Sequence, residues 1–326
     1  MRVLAVLAAL LGSTGSIASA QGRMVKTEAL VHVVSNMDAS IGFYRDAVGF
    51  ELVSPPAPLE RSSLVALART GAPKASARAA SFRIPGSEMQ FTLVEFRGAD
   101  GKPFDQRLYD PGVTRFSIQV RDIDAAFARV QGRVRSVDTT GGGPVFTQRP
   151  RNDTRAVMMR DPDGFVFEFV QADPLPKTDV PATSNIYNAR SSLAIDTTDK
   201  ALAFYRDLLG FEARPTNTVN EAVLKLEGTP TAVARTTSTT PPGATNVWFL
   251  WEFSGIDRVR RAPKIQDPGA SALSIRVENL PALLTRLKAA GVIVETAGGA
   301  PIDLGAGAHG AVVRSPDGLL IELVER

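Results

Sequence analysis

Short apolar runs alternate with single amphipathic stretches along this chain, in an order that repeats within each half. Ala29 to Val34 is a β-type run, and Ala39 to Val48 then carries Ile41, Tyr44 and Val48 at helical spacing. Gly49 follows, where a helix C-terminus favours glycine. Phe50 to Val53 opens a strand, and Leu64 to Ala68, Ala79 to Ile84 and Met89 to Phe96 read as further strands. A second unit keeps the order: strand Thr114 to Val120, helix Ile123 to Val130, then strands Arg133 to Val137, Arg155 to Met159 and Phe165 to Val170. Asp161-Pro162-Asp163-Gly164 joins the last two, and this is hairpin chemistry: proline presets φ, aspartate bonds the backbone and glycine takes φ > 0. The pattern is βαβββ, twice, which makes the fold class α+β.

The whole scheme is then duplicated. Phe43-Tyr44-Arg45-Asp46 followed by Val48-Gly49-Phe50-Glu51 recurs as Phe204-Tyr205-Arg206-Asp207 followed by Leu209-Gly210-Phe211-Glu212. Glu95-Phe96 and Asp110-Pro111-Gly112 recur as Glu252-Phe253 and Asp267-Pro268-Gly269, and Pro162-Asp163-Gly164 with Glu168 recurs as Pro316-Asp317-Gly318 with Glu322. Collinear motifs at nearly constant offset mark a tandem duplication. The modules are expected at residues 27–173 and 185–326, with a proline-rich linker over 174–184. A length of 326 residues allows two domains of about 150.

Residues 1–20 depart from the pattern. Arg2 is their one charge, an apolar run covers Val3 to Leu11, and small residues end in Ala18-Ser19-Ala20, the form of a cleavable secretory signal. Cleavage after Ala20 is expected, which places the protein in the periplasm or outside the cell. Loss of Arg2 leaves 36 Lys and Arg against 34 Asp and Glu, with no basic run, so neither nucleic acid nor membrane insertion is expected. The expected partner is a small molecule, and the state a monomer or homodimer. With no cysteine the chain has no disulfide, no thiol nucleophile and no Cys metal site, and His32 and His309 are the only histidines.

Taken together, the ordered motifs resemble the vicinal oxygen chelate superfamily, the glyoxalase, bleomycin-resistance and extradiol-dioxygenase group. The resemblance covers residues 27 to 326 and implies two glyoxalase-like modules, with paired βαβββ units forming an incomplete eight-stranded barrel. In the family, inner-face side chains hold a divalent metal, usually through two His and one or two Glu, and the substrate chelates its open positions. Counting from the shared motifs, the first ligand position falls at Ala29 and Arg190, the second at Thr92 and Phe249, the third at Arg115 and Ala272, and the fourth at Glu168 and Glu322. Only the fourth keeps a ligand, and two carboxylates do not hold a transition metal tightly. No cofactor is therefore expected, although the family resemblance implies a divalent metal; if one is held, the candidates are Glu168 with His32, or Glu322.

His32 stands three residues from the expected first position, an odd shift that sends it to the other face of its strand, where a packed or rim histidine is the expected reading. Arg155 and His309 occupy matched places before the closing hairpins and read either as cavity-mouth groups or as ordinary strand-edge residues. Arg115 with Glu168, and Arg190 with Glu322, are candidate ion pairs that would replace the metal as polar centres. Phe249 and Trp251 share one strand face and Trp248 takes the other, so the first two line a cavity or join a core. The leading expectation is a binder of a small organic molecule in half-barrel cavities. The alternatives are a metal-dependent lyase, isomerase or dioxygenase, and a non-catalytic interaction module.

Overall fold

The computed structural model describes residues 21–147, 153–219 and 221–326; the leader expected over residues 1–20 lies outside them. The first unit runs β1 (Arg23–Val33), α1 (Met37–Gly42) continuing as a π-type turn over Phe43–Val48, β2 (Glu51–Pro58), α2 (Ser63–Gly71), β3 (Ser76–Arg83) and β4 (Gln90–Arg97). The second has β5 (Thr114–Val120), α3 (Ile123–Val130), β6 (Ser136–Val137), β7 (Val145–Thr147), β8 (Asp153–Arg160) and β9 (Val166–Asp173). The third has β10 (Ile186–Ile195), α4 (Thr198–Leu202) with a π-type turn over Ala203–Leu208, β11 (Glu212–Ala213), β12 (Asn217–Thr218), α5 (Glu221–Leu226), β13 (Val233–Thr240) and β14 (Trp248–Ser254). The fourth has β15 (Ser271–Glu278), α6 (Leu280–Ala289), β16 (Ile293–Val294), β17 (Ile302–Gly305), β18 (Ala308–Arg314) and β19 (Leu320–Glu325).

One expected strand is a helix. Leu64 to Ala68 lies inside α2, because the Ser62 side chain accepts from the Leu64 amide as an N-cap and Leu64, Val65 and Ala68 fall on one buried helical face. A five-residue apolar run cannot by itself separate strand from buried helix.

Each curved sheet is assembled across the duplication. Sheet A has the order β16-β18-β19-β15-β1-β4-β3-β2, joining the first unit to the fourth; sheet B has β11-β13-β14-β10-β5-β9-β8-β6, joining the third to the second. Antiparallel β1–β15 and β10–β5 ladders make the joints, with Ala29 opposite Ser274 and Arg190 opposite Ser117. The half-barrels are present, and every one of them draws on both copies.

Strand alternation divides the side chains. On one face, Leu30, His32, Phe91, Phe116, Phe167, Leu193, Trp248, Leu273 and Ile321 join the helices in a core shared by both sheets. On the other, Val31, Val94, Ala272, Val312 and Leu320 in sheet A, and Met158, Val166, Ala194 and Phe253 in sheet B, line the concave sides under α2 and α5.

The repeated motifs build this frame. Glu95 accepts the amide of Met37 at the start of α1, and Glu252 accepts that of Thr198 at the start of α4. Asp163 accepts from the Ser35 amide and Asp317 from the Asp196 amide, each bond clasping one sheet to the other. Gly112 and Gly269 have φ of +93° and +89°, and a Cβ there would meet the carbonyl oxygens of Asp317 and Asp163 at 2.7 and 2.8 Å. The D-P-G segment therefore needs glycine both for its dihedral and for the approach of the opposing hairpin.

Candidate functional site

The concave side of sheet A holds a half-open cavity of about 910 Å³, lined from all four of its central strands by residues that include Ala29, Thr92, Ser274 and Glu322. Binding sites for small organic ligands run to roughly 300–1,000 Å³, so the space suffices. Glu322 is 7% exposed and is fully engaged. One of its oxygens accepts from Ser62 Oγ at 2.9 Å, Ser63 Oγ at 2.8 Å and the Ser63 amide at 3.1 Å, and the other from Ser274 Oγ at 3.1 Å. The N-terminus of α2 thus meets a carboxylate, which its dipole favours. Thr92 faces the cavity and its hydroxyl pairs with that of Ser81 at 3.1 Å.

Sheet B carries the counterpart positions but closes them. Ser117 donates to Glu168, as Ser274 does to Glu322. Arg115 is buried, lies with its guanidinium 4.1 Å over the Trp251 ring, and donates to Glu227 at 2.5 Å. Burial opposes its charge, but the Glu227 and Glu168 carboxylates outweigh that and hold the guanidinium more firmly protonated than usual. Leu224 and Leu226 of α5 pack among Met158, Ala156 and Val170, so this helix lies against the concave side. Arg190 lies 5.9 Å from the Phe249 ring centroid.

Several expectations change accordingly. Ser117 and Ser274 stand directly beside Glu168 and Glu322 across the parallel ladders, and Arg115 and Ala272, at the counted third position, lie two residues earlier on the same face. Arg115 pairs with Glu227 rather than Glu168. Arg190 and Glu322 are on different sheets and cannot share a centre. Arg155 shares the parity of Val157 and Met159 and forms a two-pronged bond with Asp124 of α3, so it belongs to the helix-bearing face and not to a cavity mouth. His309, exposed and in step with Ala311 and Val313, faces away from the cavity for the same reason. Phe249 and Trp251 do share a face, while Trp248 enters the opposite core.

The positions that would hold the family's metal do not supply a ligand set. Sheet A offers Ala29, Thr92, Ala272 and Glu322 with Ser274 beside them, and sheet B offers Arg190, Phe249, Arg115 and Glu168 with Ser117 beside them. Neither has an imidazole, and both carboxylates already accept from hydroxyls. A His and two Asp do meet elsewhere: atoms of His32, Asp161 and Asp163 lie within 4.8 Å of one another. This group sits between the sheets on the face opposite the cavity, as the odd shift of His32 requires, and His32 does not reach Glu168. Asp161 Oδ2 pairs with His32 Nε2 at 2.7 Å and accepts from the Tyr44 hydroxyl at 2.8 Å, while Oδ1 accepts the amides of Asp163 and Phe165. Burial and then the Asp161 charge push the Tyr44 hydroxyl well above the usual phenol range. In the second copy the same places hold Leu193 and Ser315.

No spacing signal marks Glu227, Ser62 or Ser63, which come from the segments between the motifs. Ser117 and Ser274 were within reach, since alternation from Glu168 and Glu322 across a parallel ladder points to them.

The model of the Glyoxalase/Bleomycin resistance protein/Dioxygenase superfamily matches residues 28–169 and again 189–323. The chain belongs to this family and carries two tandem copies of its module. Among solved structures, glyoxalase I from Zea mays aligns over 93% of this chain and 92% of its own at a TM-score of 0.57 and 17% identity. A putative dioxygenase from Bacillus subtilis subsp. subtilis str. 168 aligns over 93% and 86% at a TM-score of 0.56 and 14% identity. At these identities the likeness shows the fold. No curated protein sequence matches the chain.

Proposed function

We propose that the protein binds a small organic molecule in the cavity of sheet A, without a divalent metal at the family's ligand positions. The observation that carries this is the contrast between the half-barrels: sheet B sets the buried Arg115–Glu227 ion pair on its concave side, whereas sheet A keeps about 910 Å³ open around a carboxylate that is already satisfied. A pure scaffold would gain by filling both. In this reading the mature chain begins at Gln21, acts in the periplasm or outside the cell as a monomer or homodimer, and takes no nucleic acid or bilayer as partner. Among the described residues no helix is long and apolar enough to cross a membrane.

A thermal-shift screen of small organic compounds tests the proposal. Thr92→Trp, which fills the cavity, should abolish the shifts seen with the wild type, while Phe249→Ala at the matched place in sheet B should leave them unchanged. An absence of shifts in the wild type, or shifts that survive Thr92→Trp, would contradict it.

The runner-up reading is a metal-dependent lyase, isomerase or dioxygenase. The one observation in its favour is the His32, Asp161 and Asp163 group. Against it, every oxygen of Asp161 has its donors within the protein, and the group is on the wrong face to meet a ligand in the cavity.

A further inference from the structure

Resting on that reading, we infer that the ligand is an organic oxyanion, a carboxylate or a phosphate ester, held at the β1–β15 end of the cavity by Thr27, Asn246, Arg276 and Lys26. All four residues line the space. Lys26 and Arg276 are cross-strand neighbours, and Gly243 at the start of the Asn246 loop approaches the Lys26 Cβ and the Val25 carbonyl, so the three segments converge at one end.

The ligand's chemistry is set by which polar groups around the cavity lack a partner. Thr27 and Asn246 are 7% and 9% exposed, yet the Thr27 hydroxyl and the Asn246 amide nitrogen have no hydrogen-bond partner among the described residues, and neither does Arg276 Nε. A buried polar group without a partner costs about 1–3 kcal/mol, so three such donors on residues that line one end of this cavity point to a ligand that they turn to meet. Each can donate. The acids are engaged: Glu322 by Ser62, Ser63 and Ser274, Glu88 by the amide and hydroxyl of Thr245, and Glu28 by Arg276 Nη2 at 2.5 Å with Arg326 at 3.7 Å. Lys26 and Arg61 are among the residues lining the cavity, and neither has an ion-pair partner among the described residues. What remains unmet is donor capacity and positive charge, which an acceptor-rich anion answers and a cation or a donor-rich neutral molecule does not.

Calorimetric titration with phenylacetate, phenylacetamide and phenyl phosphate tests this on the wild type and on Thr27→Val and Lys26→Gln. One or both anions should bind at least about tenfold more tightly than the amide. Thr27→Val and Lys26→Gln should each weaken the anions about three- to tenfold and leave the amide unchanged, and the tighter anion identifies its source. Binding of all three with equal affinity, insensitive to both variants, would overturn the oxyanion while leaving the cavity a binding site. Binding of none would overturn the cavity reading and this inference with it.

Discussion

Arg115 donates to Glu227 Oε1 at 2.5 Å beneath the ring of Trp251, and by doing so seals the concave side of sheet B with the protein's own carboxylate. Glu227 follows α5 directly, so one ion pair ties that helix to the strand where the family would place a metal ligand. Sheet A closes its carboxylate differently, giving Glu322 to the hydroxyls at the start of α2, and this leaves space beyond it.

Glu227→Ala should strand the Arg115 charge in a buried site and cost about 3–5 kcal/mol, read from urea unfolding. Arg115→Met with Glu227→Leu should recover most or all of that loss, because replacing both members of a buried pair removes their desolvation penalty. A double variant no more stable than Glu227→Ala would show that the pair is net stabilising.

Asp317 provides a pH signature. Burial, offset in part by the Asp196 amide, raises its carboxyl from 3.8 to about 6. The folded state therefore prefers the protonated acid, so this contribution is complete below pH 3.8 and is lost as pH rises to about 6, a change of about 3 kcal/mol. Asp317→Asn keeps an oxygen for the Asp196 amide. It should flatten the stability profile over that window and be more stable than the wild type at pH 7, as followed by denaturation at a series of pH values.

The interface between the sheets gives a third expectation. Tyr44→Phe removes one charge-assisted donor from Asp161 and should cost about 1.5–3 kcal/mol. His32→Leu, which copies Leu193 of the second module, should also destabilise unless Asp161→Ser accompanies it, since Ser315 is what Leu193 is matched with. Unfolding of the single and double variants would reveal this coupling.

Much of the fold is legible in the sequence because its motifs are themselves fold-making. Glu95, Asp163 and Gly112, with their duplicates, start helices, clasp sheets and turn hairpins, and residues in such roles must recur whenever the module does. The alternation of Phe249 and Trp251 against Trp248 and the placing of His32 on the face opposite the cavity follow from strand parity alone. What the sequence hides is partnership across the duplication. Equivalent units could pair within a copy or between copies with the same local pattern, so nothing told Arg190 that its sheet excludes Glu322, nor that α5 would bring Glu227 to Arg115. Arg155 and His309 stay open between cavity mouth and strand edge for a related reason, since counting back from a hairpin fixes a residue's place along a strand but its face only when the core parity is known.

The measurement that bears most directly on the central claim is metal content set beside ligand binding in one preparation: elemental analysis of untagged mature protein after incubation with Zn²⁺, Ni²⁺, Fe²⁺ and Mn²⁺, followed by the compound screen before and after chelation. Metal far below one per chain is expected, with thermal shifts that chelation leaves unchanged and Thr92→Trp removes. Near-stoichiometric metal that chelator strips, with ligand binding lost alongside it, would contradict the account and move a metal-dependent enzyme to the front.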